Sequence, residues 1–453
     1  MAHRIFNKDA QVLAEPEMKT NPMIRLISGT VTKYILVGLL IRELFSFWTG
    51  HTYDFEIWVR LGVYMQHFGN PYTTLPYVQG LSFAPYPVTG SISYPPFSAF
   101  IFAGIYRLYL VSGIASRFFY YFLLKQPMVI SDFASGLVLG QIALRSLGTE
   151  SAKRVLKIWM IFPYAIVISS IWGALDPIAL FLVLTAVYYF QKGRTILPGI
   201  ALGLAIFLKT LPVIALPVLL MQPGTSLREG LKLSSLSLLI PIAGTLVPAV
   251  GLGWGFNGLF NNVSYQVVIP AYGALSAFGP VGLLPVPAWG RSITGIIWLP
   301  ALLLAYLFIY RRRLGLIEGL LTAFLVFSVS RPFLPEQWAI YPLALLLLSR
   351  NTIENFVGLG TAAFLALLSN NTLLVKFFTP VSVSAFNWEY VVNNLSPYGY
   401  PRAIVTFLLA GLFLLESAFI LSGRESMTFQ ALSSASLKAR RVFQLEIWKV
   451  RRA

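Results

Sequence analysis

Twelve apolar runs separated by polar turns, many of them basic, govern what this chain can fold into. They cover residues 32–48, 127–144, 158–172, 177–190, 196–208, 211–221, 233–252, 292–310, 314–330, 338–348, 356–371 and 403–421. A bilayer core about 30 Å thick takes roughly 17–25 residues of helix, and several runs reach that length while others fall short. Only 11% of residues are charged, against about 25% in soluble domains, so too few polar groups exist to cover a water-facing globule. That excludes a soluble enzyme, a disordered chain and a fibrous repeat. The expectation is an all-α, polytopic membrane protein with about 12 transmembrane helices. Cysteine is absent, which rules out disulfides, thiolate metal sites and a cysteine nucleophile. His3, His51 and His67 are the whole histidine supply, too few for a multi-histidine metal centre.

A net charge of +17 suggests nucleic acid until the charges are sorted by position. Basic residues cluster at 4–33, 145–157, 192–194, 228–232, 311–313, 350 and 424–452, which hold 24 of the 34 lysines and arginines. Cytoplasmic loops carry such an excess, so these clusters mark the inner side and no nucleic acid partner is called for. Parity of crossing then sets one assignment. Two apolar segments, 94–111 and 118–144, lie between the first outer loop and the basic 145–157 loop. If both crossed, that loop would be outside. The first, interrupted by Arg107, is therefore expected to lie in or re-enter the outer interface. Three parts follow: a cytoplasmic segment 1–31, a single transmembrane domain 32–421 with its first outer loop at 49–116, and a basic cytoplasmic tail 422–453. The first segment is polar, with nothing resembling a cleavable signal.

The outer loop opens His51-Thr-Tyr-Asp54-Phe-Glu56-Ile-Trp-Val-Arg60. Ile57, Trp58, Leu61, Tyr64, Met65 and Phe68 recur at helical spacing, which predicts an amphipathic helix lying flat on the membrane. Asp54 then falls in its first turn, where the helix dipole favours a carboxylate. From the residues alone it is a capping acid, a metal ligand or a catalytic base. Glu56 points about 200° away from it on a helix and stands four residues before Arg60, a pairing distance. The loop continues through Gly69-Asn-Pro-Tyr72 to Tyr94-Pro-Pro96, stiff enough to wall a groove. Asp176 sits in a tight outer turn, Trp172-Gly-Ala-Leu-Asp176-Pro177, as a helix-starting acid or a second carboxylate of an outer site. Lys209, at the tip of a short apolar hairpin, either meets a lipid phosphate or snorkels to the surface. Arg331, Glu336 and Gln337 share a late outer turn and could contact anions and hydroxyls. Arg42, Asp132 and Glu416 lie in the spans, where charge is costly, and are expected to pair within the bundle.

In this order the motifs resemble the GT-C superfamily of polytopic glycosyltransferases, nearest to polyprenyl-phosphomannose-dependent mannosyltransferases of family 87 and of the first GPI mannosyltransferase type. The resemblance runs over about residues 30–345. It implies transfer of a hexose, mannose in the nearest cases, from a polyprenyl-phosphate sugar to a glycolipid or lipid-linked glycan at the outer face, with inversion. By that resemblance Asp54 is the catalytic base. Glu56, Tyr94, Asp176, Lys209, Arg331, Glu336 and Gln337 are substrate-binding candidates. The family's Asp-X-Asp is replaced by Asp54-Phe-Glu56, so no cofactor is called for and a divalent cation is left open. The alternative is a transporter or lipid flippase, which inverted repeats would favour; no repeat is evident.

Overall fold

The computed structural model describes residues 29–51, 54–82, 91–261, 296–331, 335–349 and 353–368. All regular structure among the described residues is helical. Helix α1 (Thr30–Ser46) is followed by α2 (Asp54–Tyr64), which tightens into a 3₁₀ turn at Met65–His67. Next come α3 (Phe97–Ser112) and the 31-residue α4 (Arg117–Leu147). Beyond Gly148 lie α5 (Thr149–Ile161), the single turn α6 (Pro163–Ile166) and a π-helical turn at Val167–Trp172. Helices α7 (Asp176–Gln191) and α8 (Ile196–Leu208) form a hairpin, followed by a 3₁₀ turn (Leu211–Ile214), α9 (Ala215–Leu220) and the 25-residue α10 (Leu227–Gly251). The later elements are α11 (Trp298–Arg312), α12 (Leu316–Ser330), a 3₁₀ turn (Glu336–Ala339), α13 (Ile340–Leu346) and α14 (Ile353–Leu368).

Helices α4 and α10 are each long and apolar enough to cross a bilayer, and α5 with α6 and the π turn makes a third, bent by 46°. The bend falls where Pro163 supplies no N–H and forces Phe162 into an extended conformation. The other apolar helices are shorter, 10–17 residues. Only 22% of the most apolar window of α10 is buried, and Leu239, Ile242, Val247 and Val250 point outward. An apolar helix that turns such residues away from its own protein has lipid as its solvent. The expected final crossing at 403–421, the segment 1–28 and the tail 422–453 lie outside the described residues.

Helix packing follows chain order closely: α1 and α4 on α5, α4 on α7, α7 on α8 and α8 on α10. Buried charge sets the registers. Arg42 of α1 donates from Nε to Asp132 Oδ2 of α4 at 2.7 Å, with neither side chain reaching solvent. Its Nη1 also reaches the Met160 carbonyl at 2.6 Å, while Trp159 and Ser169 donate to the same aspartate at 3.0 and 2.8 Å. Two turns along α4, Lys125 donates to the Thr49 carbonyl at 2.6 Å, its Oγ1 at 2.7 Å and the Ser170 carbonyl at 2.7 Å. Thus residue 42 stands level with 132 and residue 49 with 125, so α1 and α4 run antiparallel. The start of α1 and the turn after α4 therefore share one end of the bundle. Arg145 reaches the Gln191 carbonyl at 3.4 Å, which puts the Lys192/Arg194 turn at that end too. The basic turns gather there, and Asp54, Asp176 and Lys209 gather at the other.

Helix α2 differs from the expected surface helix. Every residue from Phe55 to Gly62 is buried, including Glu56 and Arg60. Helix α3 packs along it, Trp58 stacks on Phe102 at 5.0 Å between centroids, and Tyr120 of α4 donates to the Val59 carbonyl at 3.0 Å. The polar face is closed because Glu56 and Arg60 satisfy each other four residues apart. Close approach also fixes α1 against α5: a Cβ on Gly38 would collide with the Met160 carbonyl oxygen, the same atom that Arg42 holds. Gly38→Ala is expected to part these helices and cost about 1–3 kcal/mol, as overpacking typically does. A melting curve of the detergent-solubilised protein checks this, and an unchanged midpoint would contradict the packing described.

Candidate active site

At the end away from the basic turns, Asp54 opens α2 with its carboxylate about a fifth exposed, 21%. Its backbone N–H donates to His51 Nδ1 at 3.1 Å. A ring nitrogen that accepts a hydrogen bond carries no proton there, so the 3.9 Å approach of His51 Nδ1 to Asp54 Oδ2 is not an ion pair through that atom. What grips the carboxylate is Trp172, whose Nε1 donates to Oδ2 at 2.8 Å. The indole lies flat on the His51 ring, centroids 4.2 Å apart and planes within 5°. Trp172 ends the π turn, and Gly173 follows at φ 77°, a conformation that favours glycine. The Gly173 carbonyl accepts from Trp58 Nε1 at 3.1 Å, and a Cβ at Gly173 would press on the Phe55 ring. The turn before Asp176 and the start of α2 are thereby locked together.

Asp176 is the first residue of α7 and is wholly buried. Lys209, extended at the end of α8, meets both its oxygens at 2.8 and 2.7 Å. Lys209 is 2% exposed, so it neither snorkels nor stands open to solvent. Asp176 is also within electrostatic reach of Asp54, an influence smaller than that of Lys209. Lys209 Nζ also lies 5.1 Å from the Tyr94 ring centroid and 5.4 Å from that of Trp338. Arg331 Cζ lies 4.9 Å from the same Trp338 centroid. Burial lowers the Arg331 guanidinium to about 10, which still leaves it charged at neutral pH. One indole is therefore shared by two cations, each attracted to its electron-rich face.

The structure thus brings together Asp54, Asp176, Lys209, Tyr94 and Arg331 from five separate parts of the chain. Gln337, next to Trp338 in sequence, is buried, and its Oε1, like Trp338 Nε1 and Tyr341 Oη, has no hydrogen-bond partner among the described residues. Tyr341 lies within electrostatic reach of Asp176 and Tyr94. Unpartnered buried polar atoms are uncommon and mark a place where water or a ligand completes the set. Glu56 accepts from Arg60 Nε and lies within electrostatic reach of Tyr120 and Tyr121. The Glu336 side chain lies outside the described residues. Among the described residues no three of His, Cys, Asp and Glu gather as a metal site. Sequence reasoning missed His51, Trp172, Trp338 and Tyr341 as site residues. Trp172 lay inside the Trp-Gly-Ala-Leu-Asp motif, where an indole beside a turn was the available signal.

Truncating Asp176 to alanine would leave Lys209 charged and buried with no carboxylate, a loss of about 3–5 kcal/mol. The paired change Asp176→Leu with Lys209→Met is expected to recover most of that stability while leaving the site without either charge. Thermal unfolding of both variants in detergent measures the difference. Equal destabilisation by the two would show that the ion pair does not govern this packing.

No family model matches the chain. It is similar to GPI mannosyltransferase 1 of Saccharomyces cerevisiae, with 27% identity over 149 residues, 33% of this chain and 36% of that protein. It is also similar to GPI mannosyltransferase 1 of Candida albicans, with 24% identity over 177 residues, 36% of this chain and 44% of that protein. The matched part spans less than half the length of these relatives.

Proposed function

We propose that this chain is a membrane mannosyltransferase that moves mannose from a polyprenyl-phosphate donor to a glycolipid or lipid-linked glycan. The observation that carries the reading is a partly exposed carboxylate, Asp54, held by Trp172 beside a buried cluster of Asp176, Lys209 and Arg331. Similarity to the two yeast mannosyltransferases supports the sugar and the class of reaction. The site lies at the bundle end opposite the basic turns, which supports an outer or lumenal active face with both termini cytoplasmic, in a membrane of ER type.

The chemistry follows from where the charges lie. Asp54 takes the proton from the acceptor hydroxyl as its oxygen attacks the anomeric carbon of the mannosyl group. The bond from that carbon to the phosphate oxygen breaks, and the polyprenyl phosphate leaves with the electron pair. Attack opposite the leaving group inverts the anomeric centre. A general base needs hydrogen-bond reach of its proton, and Asp54 is the carboxylate of this cluster that solvent reaches. Arg331 and Lys209 lie where a departing phosphate gains most from fixed positive charge in a site of low dielectric. Lys209 acts from within its pair with Asp176, and Arg331 from its place against the Trp338 ring. Trp338 Nε1 and Tyr341 Oη supply donors for sugar hydroxyls or phosphate oxygens, and Gln337 Oε1 an acceptor. Glu56 supports α2 through Arg60 rather than touching substrate.

Asp54→Asn is expected to lower kcat by about 10²–10⁴-fold, the usual contribution of a positioned base, without loss of folded protein. Transfer of labelled mannose from polyprenyl-phosphomannose by purified protein measures it, and full activity in that variant would sink the base assignment. Trp172→Phe keeps the stacking on His51 but removes the donor to Asp54; a fall in kcat of about tenfold is expected, matching loss of a hydrogen bond to a charged group. Glu56→Gln, by contrast, should reduce the folded yield more than the rate of each folded molecule. Solute movement across vesicles without donor turnover would overturn the enzyme reading in favour of transport.

A further inference from the structure

The end of the bundle opposite Asp54 carries a second feature, independent of the proposed transfer reaction. A cavity of about 380 Å³ opens among Tyr34 of α1 and Glu150, Lys153, Arg154 and Lys157 of α5. Three cations face one carboxylate, and that carboxylate is engaged by Lys153 at 2.9 Å. Lys157 is drawn over the Tyr34 ring, 5.7 Å from its centroid, and Arg154 is exposed. The cavity therefore presents net positive charge at its mouth. A second cavity of about 290 Å³ adjoins it, with Ile158 and Ile161 lining both. That one is almost wholly apolar, formed by Phe162 and Pro163 at the bend against Phe356, Val357 and Phe364 of α14. Helix rise puts Arg154 about 27 Å of chain path from Trp172, which is close to the full depth of a bilayer core. The first cavity thus lies at the basic end, and the second lies farther along the bent span, at its bend.

We propose that these two adjoining cavities bind an anionic phospholipid, with its phosphate against Arg154 and Lys157 and an acyl chain along Ile158, Ile161, Phe162 and Phe356. The polarity of the two cavities matches such a molecule: cations where the headgroup lies, aromatic and aliphatic surface where the tail lies. The chain's own tail is a poor occupant of the cationic mouth, since residues 424–452 carry seven lysines and arginines against two glutamates.

The full chain, purified in detergent, is titrated with phosphatidylglycerol and with phosphatidylcholine and read by native mass spectrometry. Phosphatidylglycerol is expected to bind the more tightly. Replacing Arg154→Gln and Lys157→Gln together should weaken it by roughly 30-fold, at about fivefold per cation, and leave phosphatidylcholine unchanged. Both side chains reach the surface and neither belongs to the Glu150 pair, so folding is preserved. Val357→Trp, which fills the apolar half without touching a charge, should weaken phosphatidylglycerol as well. Inorganic phosphate at millimolar concentration should fail to displace it. Three results would overturn the proposal: equal affinity in the double variant, full displacement by inorganic phosphate, which would make this a free-phosphate site, or a photoreactive side chain at position 357 that captures a peptide from 403–453 rather than lipid.

Discussion

Arg42 and Asp132 meet 2.7 Å apart where neither is exposed, and the arrangement of the first half of the chain hangs on that contact. Removing two charges from water costs several kcal/mol each, so the pair adds little net stability by itself. Its force is in what it forbids. Any packing that separates α1 from α4 leaves an uncompensated ion in the apolar interior. The Met160 carbonyl, Trp159 and Ser169 extend the requirement to α5 and the π turn. Lys125 repeats the device two turns away, where its three nearest oxygen partners come from Thr49 and Ser170. Three segments are therefore pinned at two levels, and a rigid body joined at two levels cannot slide or swivel. The second level is also only two residues from His51 and from Trp172, so the clamp that registers the helices is the clamp that positions Asp54.

The same economy of charge shapes the site itself. Lys209 and Arg331 arrive from helices far apart in sequence, yet both lie against one indole, that of Trp338. Cations brought together in a dry place repel unless something between them is polarisable or negative. Trp338 offers the first and Asp176 the second. The result is that Asp176, Lys209 and Arg331 gather around one indole, near a carboxylate that solvent can reach.

Much of this was legible in the residues. The apolar runs gave an all-helical membrane protein, and the placement of lysine and arginine anticipated which turns share an end. Asp54, Asp176, Lys209 and Arg331 stood out because charge is rare enough here for each outer instance to be conspicuous. What escaped reading depended on partners distant in sequence. That Arg42 finds Asp132 rather than another acid follows from the antiparallel pairing of α1 with α4. Helix α2 has the spacing of a surface helix, but Glu56 and Arg60 cancel each other and let α3 and α4 close over it. Periodicity reports one face at a time and carries no information about such cancellation. Tryptophans, abundant and usually read as interface anchors, gave no hint that two of them organise the site.

The π turn at Val167–Trp172 has a consequence of its own. A π turn holds one more residue than the α-helical turn it replaces, so it rotates everything beyond it by about 100° relative to an uninterrupted helix. Trp172 faces Asp54 only with that extra residue in place. The segment is thus indifferent to many changes of side chain but intolerant of a change in length. A single-residue deletion between Phe162 and Trp172 would restore regular helix, keep the apolar composition intact and swing the indole away from the carboxylate. In this stretch of the chain, residue count is itself part of the site.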